Sequence, residues 1–182
     1  MKSLYFIAII PPEQICDEIT EFKLHVASEY ESKAALRTVP HITLIAPFSI
    51  SSEKHQELLQ KFQDLTFNQE PFEMHLKDFG AFKNNKRPVI FVKPLPSEEL
   101  RKLQFEMRSH MIPISSVEPS GNERDYDPHV TIAFKDLSRE NFKKAWEVYS
   151  EQKYESKFVV DAVHLLHHNG NKWNVAASSK LL

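Results

Sequence analysis

Glycine is scarce in this chain of 182 residues, which contains only Gly80, Gly121 and Gly170. The phosphate-cradling loops of common nucleotide-binding folds need several closely spaced glycines, because the backbone itself approaches the phosphate. The sequence therefore excludes the folds that depend on such a loop. Cysteine is scarcer still, since Cys16 is the single one. An internal disulfide is impossible, and the reducing cytoplasm is the expected location.

The chain also lacks a strong net charge and a long apolar segment. Its formal net charge is -2, which argues against bulk binding of nucleic acid, because such binding needs many phosphate-neutralising cations. The apolar run at residues 3–10 ends at Pro11-Pro12 without the small-residue cleavage site of a signal peptide. It is too short to cross a membrane. We expect a buried first strand there and no export.

Hydrophobic periodicity predicts strands and helices that alternate along the chain. The predicted strands cover residues 3–10, 41–47, 72–77 and 88–93, with Pro47 ending the second. The predicted helices cover residues 12–29 and 97–111, one begins at Ser51-Ser52-Glu53, and one is capped by Ser138. A final hairpin is predicted to join residues 157–167 to 172–178 at Asn169-Gly170. Together these elements indicate an α+β fold with largely antiparallel sheets.

One short segment occurs twice, as Pro40-His41-Ile42-Thr43-Leu44 and as Pro128-His129-Val130-Thr131-Ile132. Residues i and i+2 of a strand face the same side, so each histidine points with its threonine while the aliphatic residues pack behind. The chain therefore looks loosely duplicated. If the two halves meet about a pseudo-two-fold axis, two imidazoles and two hydroxyls converge on one site.

Such a site suits phosphodiester cleavage. In-line displacement at phosphorus needs a base on the attacking oxygen and an acid on the leaving oxygen, and histidine performs either role near neutral pH. Threonine hydroxyls can hold the non-bridging oxygens. No metal or other cofactor is expected, because no Cys or acidic ligand has a suitable spacing near both motifs. The competing interpretation is that these side chains are buried and only hydrogen-bond one another.

The paired segments resemble the two-histidine (2H) phosphoesterase superfamily, especially its bacterial 2′-5′ RNA ligase-like and cyclic phosphodiesterase branch. The resemblance extends along most of the chain, through 6–12, 87–92 and the ending 163–173. It implies that residues 1–182 form a single bilobal domain, a pseudo-two-fold duplicate of antiparallel sheets with outer helices around a central cleft.

The resemblance also implies an activity and the residues that carry it. The expected reaction is metal-independent hydrolysis of 2′,3′-cyclic phosphates at RNA ends or on nucleotides, with joining or splitting of 2′-5′ linkages in some members. His41 and His129 correspond to the acid and the base, in an order that the symmetric pair leaves open. Thr43 and Thr131 correspond to the phosphate donors. A monomer is expected.

One position departs from the family pattern and concerns substrate recognition. Many members carry Arg shortly after the second motif, whereas this chain reads Ala133-Phe134-Lys135. Lys135 could replace the charge but not the bidentate geometry of Arg. Other candidates for a substrate rim are Arg37, Lys83, Lys86, Arg87 and Arg124 as cations and Tyr126 as a base-stacking ring, although each is also an ordinary surface or core residue.

Two alternatives to a cyclic phosphodiesterase therefore stay open. The first is a non-catalytic module that kept the pocket and binds RNA or a nucleotide. The second is a hydrolase of a different small-molecule cyclic phosphate or ester, which the departure at Phe134 keeps open.

Overall fold

A computed structural model of the protein describes residues 2–83, 86–115 and 126–182. The strands are β1 (Lys2–Ile9), β2 (Ile42–Ser51), β3 (Phe72–Phe82), β4 (Val89–Pro94), β5 (Val130–Ala133), β6 (Glu155–Val160), β7 (Ala162–His168) and β8 (Trp173–Lys180). The helices are α1 (Glu13–Tyr30), α2 (His55–Gln63), α3 (Glu98–Ser115) and α4 (Arg139–Tyr149). Among these residues, no helix is both long enough and apolar enough to cross a membrane.

Within the described ranges, the strands form two four-stranded antiparallel sheets. The first has the order β2-β1-β7-β8 and the second the order β5-β4-β3-β6. In each sheet, a strand with a His-x-Thr segment lies at one edge. The strand beside it comes earlier in the same half of the chain. The correspondence of β1 with β4 and of β2 with β5 relates the lobes by an approximate two-fold. The predicted α+β, antiparallel architecture is confirmed.

The two faces of the first sheet bury different sets of residues. Along β1, Tyr5, Ile7 and Ile9 belong to the main hydrophobic core, whereas Phe6 and Ala8 belong to a smaller cluster. Alternate residues of a strand face opposite sides. The other members of the smaller cluster come from strands and loops: Ile10, Val39, Leu166 and Trp173. The face that bears Phe6 therefore lines the cleft, and the opposite face packs under the helices.

The helices cross between the two lobes. α1 follows β1 of the first sheet but packs against β5 of the second sheet and against α4. α3 follows β4 of the second sheet but packs against β2 of the first, where the Gln104 side chain donates a hydrogen bond to the carbonyl oxygen of Leu44 over 3.4 Å. Fully buried helical side chains such as Ile19 and Leu103 each contribute roughly 1.5–3 kcal/mol through this packing. Each lobe therefore depends on a helix from the other half of the sequence.

The strand that follows His41 is longer than the sequence predicts. Pro47 indicates its end, but β2 continues to Ser51. β2 lies at the edge of its sheet, where proline is tolerated because one side of an edge strand needs no backbone donor. The pairing with β1 is irregular here, between the pairs Tyr5–Phe48 and Ile7–Ile45. The proline thus interrupts the ladder without ending the strand, and the short predicted boundary is wrong.

The stretch 157–167 is two strands rather than the single arm of a hairpin. β6 ends at Val160 in the second sheet, and β7 begins at Ala162 in the first. The change of sheet takes place at Asp161, whose carbonyl oxygen accepts a hydrogen bond of 2.8 Å from the backbone of Leu181. The remaining hairpin joins β7 to β8 around Asn169-Gly170 as predicted.

The predicted helices occur with adjusted ends. Ser138 caps α4 as expected, because its hydroxyl accepts a 3.1 Å hydrogen bond from the backbone nitrogen of Asn141. The helix predicted to open at Ser51 instead begins at His55, after a 3₁₀ turn at Ser52–Lys54. The polar stretch before the second motif lies mostly outside the described residues.

Candidate active site

His41 lies immediately before β2, on the cleft face of the first sheet. Its ring packs against Phe6 of β1, with ring centroids 4.8 Å apart. Its Nδ1 lies 2.7 Å from the carbonyl oxygen of Val39, and since a carbonyl only accepts, Nδ1 carries the proton. In the neutral ring this leaves Nε2 with a free lone pair. His41 is therefore held in the tautomer that a general base needs.

His129 is held in the same way before β5 of the second sheet. Its Nδ1 donates to the carbonyl oxygen of Asp127, two residues earlier, over 2.8 Å. Its ring contacts Phe91 of β4, with centroids 5.4 Å apart, and Phe82 of β3, with centroids 5.0 Å apart. Both motif histidines are thus held in the same way. Each ring donates a hydrogen bond to the backbone carbonyl oxygen at position i−2 and packs against a phenylalanine from a neighbouring strand.

The threonines of the two motifs occupy matching positions in the ladders. Thr43 pairs with Ala8 of β1, and Thr131 pairs with Phe91 of β4. Both threonines are half-buried, whereas Ile42 between the first motif's polar residues is fully buried in the main core. The alternation predicted from the sequence is therefore observed, with the histidine and threonine of each motif on one face.

Two tertiary contacts bring the motif segments together. The Tyr126 hydroxyl, three residues before His129, donates a 3.1 Å hydrogen bond to the carbonyl oxygen of Thr43. Asp136, just after β5, accepts hydrogen bonds of 2.8–2.9 Å from the chain that leads to the first motif; the donors are the hydroxyl of Ser32 and the backbone nitrogens of Lys33 and Ala34. The second motif is thus tied to the first both before and after its strand.

The electrostatic surroundings distinguish His41. Burial lowers the pKa of His41 from its usual 6.5 to about 4, and the nearby charges of Lys23 and His129 act in the same direction. The hydrogen bond to the Val39 carbonyl opposes this change only in part. The imidazole of His41 is therefore neutral over the whole physiological range.

Gly80 on β3 makes room for the ring that supports His129. A Cβ at Gly80 would lie 2.5 Å from Cε2 and 2.7 Å from Cζ of Phe91, and 3.1 Å from Cγ of Lys93. Only glycine allows the Phe91 ring to cross the neighbouring strand this closely. Lys93 lies two residues after Phe91 on β4, so its stem leaves from the same face of the strand.

The predicted rim residues lie in different surroundings. Arg37 and Arg87 are exposed, Arg37 at the end of the 3₁₀ turn Ala34–Arg37 and Arg87 between β3 and β4. Lys135 adopts a left-handed backbone conformation, with φ 64°, and its ammonium lies 5.9 Å from the centroid of the Phe134 ring. Lys83 lies over the ring of Trp146 on α4, at 5.7 Å. Arg124 lies outside the described residues.

Sequence reasoning missed a third histidine on the cleft face. His164 of β7 pairs with Ala8, which in turn pairs with Thr43, so the three residues form one row across the sheet. The Nδ1 of His164 lies 2.8 Å from the hydroxyl of Ser178 on β8. Only the strand order could have revealed this residue, because β7 is distant from the motifs in sequence.

Two cavities flank the motif segments. A small one of about 80 Å³ lies beside Asp127 and Pro128, with Arg101 and Tyr126 in its wall. A larger groove of about 360 Å³ lies along residues 38–40, just before His41. Among the described residues, no three His, Cys, Asp or Glu side chains are grouped so that they could hold a metal ion.

The class of protein follows from this arrangement: two pseudo-symmetric antiparallel sheets, each with a His-x-Thr edge strand, define a two-histidine phosphoesterase. Within that class, the chain belongs to the 2′-5′ RNA ligase superfamily, whose family model matches residues 11–172. Among similar sequences is a Bacillus licheniformis protein provisionally named a phosphoesterase, 28% identical over 174 residues and covering 94% of each chain. A Bacillus cytotoxicus protein of the same provisional name is 29% identical over 174 residues, which cover 93% of this chain and 91% of the relative.

Solved structures agree on the fold. The Thermus thermophilus protein TT0787 has a TM-score of 0.66 at 18% identity, covering 97% of each chain. Escherichia coli LigT, crystallised with 3′-AMP, has a TM-score of 0.62 at 18% identity, covering 100% of this chain and 99% of the other. At this level of identity the likeness concerns the architecture alone.

Proposed function

We propose that the protein is a metal-independent phosphodiesterase that opens 2′,3′-cyclic phosphates at an RNA end or on a nucleotide. The observation that carries this proposal is the matched fixation of His41 and His129. Each ring donates Nδ1–H to the carbonyl two residues before it, so each leaves Nε2 for proton transfer. Two histidines held alike on two-fold-related strands suit attack on one side of a phosphorus and departure on the other.

The reaction runs as a single in-line displacement. The Nε2 of one histidine takes a proton from water while the water oxygen bonds to phosphorus. The bond from phosphorus to one ribose oxygen breaks, and the Nε2–H of the other histidine protonates that oxygen. The product is a phosphate monoester beside a free hydroxyl. Thr43 and Thr131 donate hydrogen bonds to the non-bridging oxygens as charge develops there.

The electrostatics favour His41 as the base. A base must be neutral before reaction, and the pKa of His41, lowered to about 4 chiefly by burial, keeps the ring neutral at physiological pH. In this assignment His129 serves as the acid.

The substrate class rests on the fold family and on the apolar cleft. Phe6, Phe82 and Phe91 surround the histidines, and Phe134 stands where related chains often carry Arg. A small cyclic nucleotide therefore fits this proposal at least as well as a long RNA. Ligation or cleavage of 2′-5′ linkages belongs to the same chemistry and is tested with it.

The unit of function is the whole bilobal domain. Each lobe supplies one His-x-Thr segment, and each is covered by a helix from the other half of the chain. We place the enzyme in the cytoplasm as a monomer, in keeping with the single cysteine, Cys16, which is free and buried.

A chelator-treated activity screen tests the proposal. The substrates are 2′,3′-cyclic mononucleotides, short RNAs with cyclic ends and 2′-5′ linked dinucleotides. We expect turnover in excess EDTA, and a loss of kcat of about 10²–10⁴-fold in His41→Asn and in His129→Asn. His75→Asn is the matched control, because His75 is half-buried on β3 and pairs with Glu73 at 2.8 Å.

The outcomes separate the candidate functions. Full activity in both motif variants would contradict the proposal. Measurable nucleotide affinity without turnover on the whole panel would favour the non-catalytic binding module. Turnover of another cyclic phosphate or ester, but of no nucleotide, would favour the hydrolase of a different small molecule.

A further inference from the structure

The groove on the His41 side adjoins the site and contains several cations. Its wall includes Val39 and Pro40, which lead directly into His41, together with Trp173 of β8. Trp173 contacts Phe6 with centroids 4.6 Å apart, and Phe6 contacts His41 at 4.8 Å. The groove therefore lies next to the segment that leads into His41, with Phe6 and Trp173 packed between its wall and the imidazole.

Lys23 in the wall of this groove is a buried cation without an acidic partner. Its side chain is 2% exposed, and its ammonium donates to the carbonyl oxygens of Ala35 at 3.1 Å and Thr38 at 2.9 Å. Within the described residues, no carboxylate lies within ion-pair distance of it. Buried charges are normally compensated, and burial lowers the pKa of Lys23 to about 8. An anion in the groove would provide the missing compensation.

The remaining polar wall of the groove favours an anion as well. Arg37 and Lys172 are both exposed there, and Asp17 is the single acidic residue of the described lining. The hydroxyl oxygen of Thr38 is buried and has no hydrogen-bond partner in the part of the chain that the structure describes. The described lining of the groove therefore contains three cationic side chains and a hydroxyl without a hydrogen-bond partner, but only one carboxylate.

We propose that this groove is a second anion site, which binds a further phosphate group of the same substrate. The inference rests on the proposed phosphoesterase function, since the first phosphate is the one between the two His-x-Thr segments. Arg37 and Lys172 contact the second phosphate from the open side, and the Thr38 hydroxyl and the positive charge of Lys23 stabilise it from below. The preferred substrate then carries at least two phosphate groups, as an oligonucleotide end or a nucleotide with an additional phosphate does.

Calorimetric titration tests the second site independently of turnover. The probes are adenosine 3′-monophosphate and adenosine 3′,5′-bisphosphate, titrated into the whole protein at low salt. We expect the second phosphate to lower Kd about tenfold in the wild type, the effect of one charge-assisted contact. In the double variant R37Q/K172Q the two ligands should bind within about twofold of each other.

A matched control removes the same amount of charge elsewhere. The double variant K102Q/K144Q also loses two cations, both exposed and paired with Glu98 and Glu140 on their own helices, and it should keep the wild-type preference. Equal affinity of the wild type for both probes would overturn the proposal, as would an absence of binding or a preference that survives in R37Q/K172Q. A preference for the bisphosphate in a protein that hydrolyses no cyclic phosphate would support the anion site while contradicting the proposed function.

Discussion

The side-chain hydroxyl of Tyr126 donates a hydrogen bond to the backbone carbonyl oxygen of Thr43 over 3.1 Å. The bond joins the approach to the second motif with the middle of the first. Tyr126 is half-buried, and burial raises its pKa, so the hydroxyl keeps its proton and remains a donor. The sequence suggests a base-stacking role for this ring, whereas the structure gives its hydroxyl a contact that sets the distance between the motifs.

Tyr126→Phe should therefore affect catalysis more than stability. We expect the free energy of unfolding to fall by about 1 kcal/mol, the usual worth of one such bond. We expect kcat to fall by more than this loss of stability would cause, because the hydrogen bond that joins the two motif segments is removed. Tyr154→Phe is the control, since the Tyr154 hydroxyl donates to Glu18 over 2.8 Å, away from the motifs. Equal kinetics in both variants would refute the anchoring role.

The pH dependence of kcat/KM should reveal the base. With a pKa lowered to about 4 by burial, His41 loses its neutral form only below that pH, so activity on the acid side should persist to about pH 5. An unperturbed histidine would be only about 10% neutral at pH 5.5. In Lys23→Met the acid limb should move to higher pH, because a positive charge that lowers the pKa of His41 has been removed. An acid limb near pH 6.5 in the wild type would contradict the assignment of His41.

The two threonines should contribute through their hydroxyls. Thr43→Val and Thr131→Val preserve shape but remove a donor to the non-bridging oxygens, and we expect each to lower kcat about a hundredfold. Thr43→Ser and Thr131→Ser keep the donor and should retain most of the activity. Steady-state kinetics on a cyclic mononucleotide make the comparison. Valine variants as active as the serine variants would exclude phosphate donation by these residues.

Gly80 should be intolerant of even a methyl group. In Gly80→Ala the new Cβ would overlap the Phe91 ring, so the ring must leave its place against His129. We expect a loss of about 1–3 kcal/mol in the free energy of unfolding, together with a lower kcat. The double variant Gly80→Ala/Phe91→Leu should recover part of the stability but not the activity. Denaturant unfolding of the wild type, both single variants and the double variant gives the coupling energy directly, and additive effects would show that the contact is unimportant.

The sequence predicts the motif strands and the cap at Ser138 because these depend on local pattern. It does not reveal the change of sheet at Asp161, since Val159, Val160, Ala162 and Val163 are all apolar and no alternation separates the two strands. The continuation of β2 past Pro47 also depends on tertiary structure, because proline is acceptable only once the strand is known to lie at an edge.

Residues that act through distant partners are the ones that local pattern misses. Lys23 has the sequence context of a solvated helical lysine, yet it is buried beneath residues 35–38. His164 reaches the cleft face only because β7 returns to β1. Neither placement follows from residue type or spacing, whereas the four motif side chains follow from strand geometry alone.

The strand order has a consequence for synthesis on the ribosome. β1 emerges from the ribosome well before its partner β7 is made, because β2 to β6 lie between them in the chain. Until then β1 has β2 on one side and an open apolar edge on the other, and such edges promote association between chains. The second sheet can form three of its strands, β3, β4 and β5, before that point. We therefore expect the nascent chain to need protection at β1 until β7 has been made and pairs with it.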